Sequence, residues 1–195
     1  MQALHRRRTA FVTLVLGCGA LLAGTANATA PAPRADRIIL SLADVGSGYT
    51  AKYTGRRTLI DVSTGDSTKV RKELARSWIS GAEHAFRGNR IDRGVISQAD
   101  VFRKGAQMNL ILRAWQRDVV RISQGTRQQL PGAAPGTGGA LVRGHLLSYE
   151  LLIYMWRRGR TISSVDVTGV DGTVPVSLVM KLARVQDARM ASGGA

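Results

Sequence analysis

Arginine is the residue type through which this chain could do most of its chemistry. The sequence holds 28 lysines and arginines against 13 acidic residues, a formal net charge of +15. Three arginines recur at steps of four, as on one helix face, and others crowd the segment 157–160. A guanidinium is a planar fork of donors that matches carboxylate and phosphate oxygens. The predicted anion-binding candidates are Arg157, Arg158, Arg160, Arg143, Arg113, Arg117 and Arg121.

The same arginines also fit a solvated helix face and a soluble turn, and both interpretations stay open. If they bind, the predicted partner is an anionic envelope component: a wall polymer, a lipid headgroup or an acidic protein. Nucleic acid is disfavoured, because aromatic residues make up only 5% of the chain and no nucleic-acid motif occurs.

Catalytic and metal-binding patterns do not emerge from the sequence. His84 and His145 are far apart and belong to no zinc-binding motif. Neither Gly46-Ser47-Gly48 nor the glycine-rich segment 136–139 matches a nucleophile elbow or a phosphate loop. The spacing of the acidic residues selects no acid and base pair. We therefore predict no catalytic residue, no metal site and no cofactor. A hydrolase whose acidic residues converge only in the fold remains an alternative.

The first 28 residues have the three parts of a secretory signal peptide. His5–Arg8 is a positive segment, Phe11–Ala23 is apolar, and Ala26-Asn27-Ala28 is an Ala-x-Ala cleavage site. We predict a secreted protein with cleavage after Ala28, a short tether over 29–34 and no membrane span after cleavage. Cleavage removes three arginines, so the formal net charge falls by three to +12.

Cys18 is the single cysteine of the chain and the basis of an alternative location. Val15-Leu16-Gly17-Cys18 loosely resembles a lipobox, in which the cysteine would carry a lipid anchor. Apolar sequence continues beyond Cys18 and a cleavage site follows it, which favours the free secreted form. That mature form has no thiol, so disulfides and thiolate metal sites are excluded.

The hydrophobic patterns predict alternating helices and strands. Gln107–Ser123 has the clearest helical stripe, and Leu146–Val170 reads as two long strands joined at the arginine-rich turn. Ala82–Arg87 fits a helix or a strand, and we favour a strand. The three tryptophans are predicted core anchors. The remaining predictions are helices over 35–43, 68–79 and from Pro175, strands over 49–59 and 91–103, and a loop over 129–140.

These elements predict an α+β fold without parallel βαβ units. We expect an antiparallel sheet with helices packed mainly on one face, a single two-layer domain over residues 35–191, and a tail over 192–195. Two further functions fit this architecture. One is a small-molecule or lipid carrier with a pocket between the sheet and the long helix, and the other is the hydrolase named above.

Three short motifs resemble those of a group of uncharacterised exported bacterial α+β proteins. They are the opening segment 42–49 (LADVGSGY), the hairpin Trp156-Arg157-Arg158-Gly159, and the ending segment 182–189 (LARVQDAR). The chain departs from the group at Gly46, where the opening motif has a proline. The element order is more distantly similar to PsbP/Mog1-like domains. The resemblance implies an extracytoplasmic domain and supplies no catalytic residue.

Overall fold

A computed structural model describes residues 34–63, 67–89, 93–130 and 132–192. The predicted signal peptide, nearly all of the tether, Cys18 and the last three residues lie outside this part of the chain. Within it, the helices are α1 Arg34–Ile38, α2 Leu42–Val45, α3 Leu59–Val62, α4 Thr68–Ser77, α5 Met108–Ile122 and α6 Val176–Ser192. The strands are β1 Tyr49–Arg57, β2 Trp78–Gly88, β3 Gly94–Phe102, β4 Thr126–Gln128, β5 Thr137–Leu146, β6 Tyr149–Arg158 and β7 Thr161–Val170.

The described strands form one seven-stranded sheet in the order β1-β2-β3-β7-β6-β5-β4, and every pairing is antiparallel. Two meanders make up this sheet. The first runs β1, β2, β3, and the second runs β4, β5, β6, β7. They meet where β3 pairs with β7, from Gly94 opposite Thr168 to Val101 opposite Thr161. The predicted α+β fold, antiparallel sheet and single domain are confirmed.

The larger core lies on one face of the sheet, under α6 and α1. Successive strand residues point to opposite faces, so Leu152, Tyr154 and Trp156 of β6 share this side. They pack with Val165 of β7 and with Leu182 of α6. Trp156 is fully buried and its ring stacks on Tyr154 with centroids 5.1 Å apart, which confirms it as a core anchor.

The smaller core lies on the opposite face, under α4 and α5. Met155 of β6 and Ile162 of β7 point to this side and pack with Ile111 and Leu112 of α5. Helices therefore cover both faces, and the domain has three layers where the sequence analysis predicts two. The reason is that β6 is apolar at both alternating positions and β7 is mostly buried on both faces, which is the pattern of strands covered on both sides.

Several boundaries differ from the predictions. The first predicted helix is two short helices, because Ser41 interrupts it: the Ser41 N–H and hydroxyl both donate to the Asp44 carboxylate at 2.6 Å and start α2 anew. The loop predicted over 129–140 ends early, at the start of β5 at Thr137, and Leu146 belongs to β5. The undecided segment Ala82–Arg87 is a strand within β2, as favoured. Among the described helices, none is long and apolar enough to cross a membrane.

Candidate anion-binding cleft

Helix α5 presents two arginines beside the edge of the sheet. Its apolar stripe packs Ile111 and Leu112 into the smaller core. The polar residues between these apolar positions face outward, and Arg113 and Arg117, four residues apart, are both exposed. The helical register thus places their two guanidinium groups one turn apart on the same side of α5.

The short strand β4 faces this helix and adds a third arginine. Arg127 lies opposite Val142 in the β4–β5 ladder and is exposed. One open cavity of about 430 Å³ is lined by Arg113, Arg117 and Arg127 together with Asn109, Leu112, Gln116, Gly138 and Gly139. We call it the arginine cleft. None of these described lining residues is acidic. Within the described part of the chain, none of the three arginines forms an ion pair.

The glycine-rich segment before and within β5 forms a wall of the cleft. The Gln116 amide donates to the Gly138 carbonyl at 2.8 Å, and the Tyr154 hydroxyl donates to the Pro135 carbonyl at 2.8 Å. A Cβ at Gly139 would lie 2.0 Å from the Tyr154 oxygen, so only glycine lets the segment approach this ring. Burial raises the pKa of Tyr154 to about 12, and the charge of Asp187 adds to the effect. Tyr154 therefore stays neutral and holds the wall as a donor.

A second cavity of about 350 Å³ lies beside the first, at the start of α5. Its lining includes residues 106–110 and Arg157 from the end of β6, and we call it the hairpin cavity. The Arg157 Nε donates to Asn109 Oδ1 at 2.9 Å. Asn109 lines both cavities, so the hydrogen bond between Asn109 and Arg157 lies at the boundary between the two cavities.

Arg158 points to the other side of the hairpin and is neutralised there. Its Nε donates to Asp187 Oδ1 at 2.7 Å, its terminal nitrogen binds Oδ2, and the buried Trp156 Nε1 donates to the same Oδ1 at 3.0 Å. The hydrogen bond to Asp187 raises the pKa of Arg158. The Arg158 guanidinium neutralises a buried carboxylate, so it adds little positive charge to the protein surface.

Two other candidate arginines also have internal partners. Arg143 pairs with Glu150, which is only 1% exposed and also accepts from the Val174 N–H at 3.1 Å. Arg121 binds Asp118 at 2.7 Å, one turn back on α5. The β5–β6 ladder places Arg143 well away from the hairpin turn, because residue 143 lies opposite residue 152. The last candidate, at position 160, sits in that turn and is half-buried.

Arg127 is the cleft arginine that the sequence pattern does not indicate, and Asn109 and Gln116 of the same lining are not indicated either. Arg127 stands alone in a short polar stretch, so neither charge density nor periodicity marks it. Its place follows from β4 pairing with β5, which brings residue 127 alongside α5. No local sequence pattern marks the short strand at residues 126–128, which becomes apparent only in the structure.

The smaller-core face also carries a row of polar side chains away from the arginines. Gln98 donates to Glu83 at 2.6 Å, and the Ser164 hydroxyl donates to Gln98 at 3.2 Å. Asp166 follows two positions after Ser164 on the same face, and among the described atoms one of its oxygens is buried without a hydrogen bond. Burial raises the pKa of Asp166 to about 7, and the like charge of Glu83 adds to it. No group of three metal-ligating side chains occurs among the described residues.

Comparison with known proteins bears on the fold. No family model matches the chain, and no curated protein matches its sequence. The extracellular domain of PknH from Mycobacterium tuberculosis is similar in structure, with a TM-score of 0.55 over 82% of this chain and 95% of that one. The two sequences are 10% identical, so the likeness shows a shared fold alone. The resemblance to exported bacterial proteins stays a prediction.

Proposed function

We propose that this protein is an extracytoplasmic binding domain that holds an anionic ligand in the arginine cleft. The observation that carries the proposal is the meeting of Arg113, Arg117 and Arg127 in one concave surface whose described lining has no opposing carboxylate. Like charges held close together repel, and an anion between them relieves this repulsion. Arg121, Arg143 and Arg158 have carboxylate partners within the fold, whereas the three cleft arginines stay available to an outside partner.

The rest of the lining suits a small, fixed anion. Leu112 is buried beneath the cleft, and the wall is held by the bonds from Gln116 and Tyr154, so little rearrangement is needed on binding. A hydrogen bond to a charged group is worth roughly 1.5–3 kcal/mol. The volume of about 430 Å³ lies within the ordinary range for small-molecule sites.

Two observations support a location outside the cytoplasm. The first 28 residues have the pattern of a secretory signal peptide. The protein of similar fold is named as an extracellular domain. An exported protein of this charge would meet phosphate and carboxylate groups of the envelope, and these are the groups that guanidinium forks bind in a bidentate manner.

Calorimetric titration of the exported protein with inorganic phosphate at low ionic strength tests the proposal. We expect the combined variant Arg113→Gln, Arg117→Gln, Arg127→Gln to lose at least about 100-fold in affinity, since three charged contacts disappear.

The matched control for this titration changes Arg71, Arg87 and Arg184 to Gln. These arginines are exposed, lie outside the lining of the cleft, and their replacement removes the same total charge. The control should keep the affinity of the wild type within about 3-fold, because only long-range attraction is lost. Equal losses in both triple variants would mean that net charge, and not the cleft, attracts the anion.

A further inference from the structure

The arginine cleft and the hairpin cavity lie in line along α5. The helix contributes Met108 to the hairpin cavity and Arg117 to the far side of the arginine cleft. Nine residue steps separate these two, which is about 14 Å at 1.5 Å of rise per residue. Both cavities have a positively charged side chain in their lining, and none of the described residues that line them is acidic.

Asn109 joins the two cavities. Its Oδ1 already accepts from Arg157, which leaves the amide nitrogen to donate. Among the described residues no acceptor binds that nitrogen, and the side chain is exposed. The boundary between the cavities is therefore itself a hydrogen-bond donor and does not repel an anionic chain that crosses it.

We propose that these cavities are consecutive subsites of one groove that binds a linear chain of phosphate groups. This inference rests on the proposed function and specifies its ligand. One phosphate would sit among the three cleft arginines, and a phosphate further along the chain would bind Arg157. The start of α5 contributes little, because the buried Glu73 carboxylate already accepts from the Gln107 N–H at 2.8 Å.

The lining also discriminates among phosphate-bearing chains. None of the described residues that line the two cavities is aromatic, so a nucleic-acid base would find no ring on which to stack. A chain without bases suits the groove better, since it offers charge along its length, a narrow backbone and oxygens that accept from guanidinium forks. Inorganic polyphosphate and a glycerol-phosphate polymer share this chemistry.

The test compares orthophosphate, tripolyphosphate and a longer linear polyphosphate on the exported full chain. We expect affinity to rise with chain length, by about 10-fold or more when the chain reaches the second subsite. Arg157→Gln should remove most of that gain and change orthophosphate affinity less than about 2-fold. Arg160→Gln, in the turn that follows β6, is the matched control and should preserve the gain.

Each failure points to a different error. If orthophosphate does not bind, the proposed function itself is wrong. If orthophosphate binds and chain length has no effect, or if Arg157→Gln and Arg160→Gln act alike, the groove is not continuous and this inference fails. If a glutamate oligomer shows the same gain with length, the preference for phosphate is wrong. A parallel titration with glycerol-phosphate oligomers identifies which of the two sources binds more tightly, and binding of either one with the expected gain supports the groove.

Discussion

Arg158 and Arg113 carry the same side chain in very different surroundings. Arg158 binds both oxygens of Asp187, which is only 7% exposed. Arg113 lines an open cleft with two other arginines and, among the described lining residues, no carboxylate. The density of arginine along the sequence therefore does not indicate which arginines are paired with a carboxylate in the fold. The three-dimensional position of the acidic residues does, because a carboxylate that is buried in its charged form needs a nearby cation.

This contrast predicts that the arginines paired with buried carboxylates stabilise the fold, whereas the cleft arginines contribute to ligand binding. In the pairs Arg158–Asp187 and Arg143–Glu150 the carboxylate is buried and the arginine is its counter-charge, so removing the arginine leaves an unpaired charge in the core. In the cleft group the arginines are exposed and repel one another, so removing them costs the fold little. The polar row around Asp166 has the opposite charge to the cleft, because acidic side chains lie close together there. The nearby guanidinium of Arg57 is already paired with Asp100.

The largest effect should come from Asp166, tested by urea unfolding of wild type and Asp166→Asn between pH 5 and pH 8. Its folded pKa of about 7 lies above the ordinary 3.8, so the native state holds a proton that the unfolded state has released. Stability then falls as pH rises towards the folded pKa, by roughly 1.4 kcal/mol per unit and about 3 kcal/mol over two units. Asp166→Asn should remove that part of the slope.

The charged groups that act on Asp166 set the control for this experiment. Glu83 raises its pKa and Arg57 lowers it, and both remain in the variant. Burial also raises the pKa of Asp100, which contributes a slope of the same sign to both proteins. The pKa values of Asp44 and Glu73 are lowered, so these groups are protonated, and change the stability, only below the pH range of this experiment. Parallel pH profiles for wild type and variant would show that Asp166 is not the responsible group.

Next in size is Arg158→Gln, which leaves the Asp187 carboxylate without its cation. We expect a loss of about 2 kcal/mol in the free energy of unfolding, reduced from the value for fully buried pairs because the Arg158 side chain is 40% exposed. Phosphate affinity should stay within about 2-fold of wild type. Tryptophan fluorescence follows unfolding directly, because Trp156 shares the same carboxylate. If Arg158→Gln left the stability unchanged but abolished phosphate binding, Arg158 would be a ligand-binding residue and not a stabilising one.

Gly139→Ala should lower the free energy of unfolding by roughly 1–2 kcal/mol, the usual range for forcing extra volume into a packed site. The added methyl group would meet the Tyr154 hydroxyl and push the glycine-rich wall out of place. Phosphate affinity should fall along with stability, unlike in Arg158→Gln. Gly48→Ala is the matched control, since no described atom lies within 4 Å of the position that its new methyl group would take. Intact affinity in a destabilised Gly139→Ala would show that the wall does not shape the site.

The smallest effect on stability should be that of the triple cleft variant. Replacing Arg113, Arg117 and Arg127 by Gln should change the free energy of unfolding by less than about 0.5 kcal/mol, because exposed arginines without a paired carboxylate contribute little. Thermal unfolding without ligand measures this. Added phosphate should raise the melting temperature of the wild type and leave that of the variant unchanged. A large loss of stability would mean that the cleft arginines have a structural role.

Elements whose pattern is local can be predicted from the sequence. The stripe of α5 and the alternation of β7 depend on residues a few positions apart, and both elements lie within one or two residues of the predicted bounds. The fold class follows from the order of such elements. The predicted opening helix is wrong because Ser41 and Asp44 form a local capping box inside an apolar run. The predicted loop over 129–140 extends too far because glycines that usually mark loops here allow close packing on Tyr154 and Trp156.

The candidate site depends on contacts that are distant in sequence. Helical spacing identifies Arg113 and Arg117 as candidates, but Arg127 joins them only through the pairing of β4 with β5. The crowded turn makes Arg158 a candidate, yet Asp187 neutralises it from 29 positions away. A pairing of charges across the fold leaves no local pattern, so periodicity cannot indicate it. Helical spacing thus supplies two of the three cleft arginines.

The junction of β3 with β7 has a consequence for how the chain folds. Each meander can form from strands that follow one another, whereas the residues paired at the junction are 60 to 74 positions apart. Closing a chain segment of that length costs entropy before any contact forms. We therefore expect the two meanders to form early and their docking along β3 and β7 to limit the folding rate. Substitutions in this junction should slow refolding, while those at the β1 and β4 edges should mainly speed unfolding.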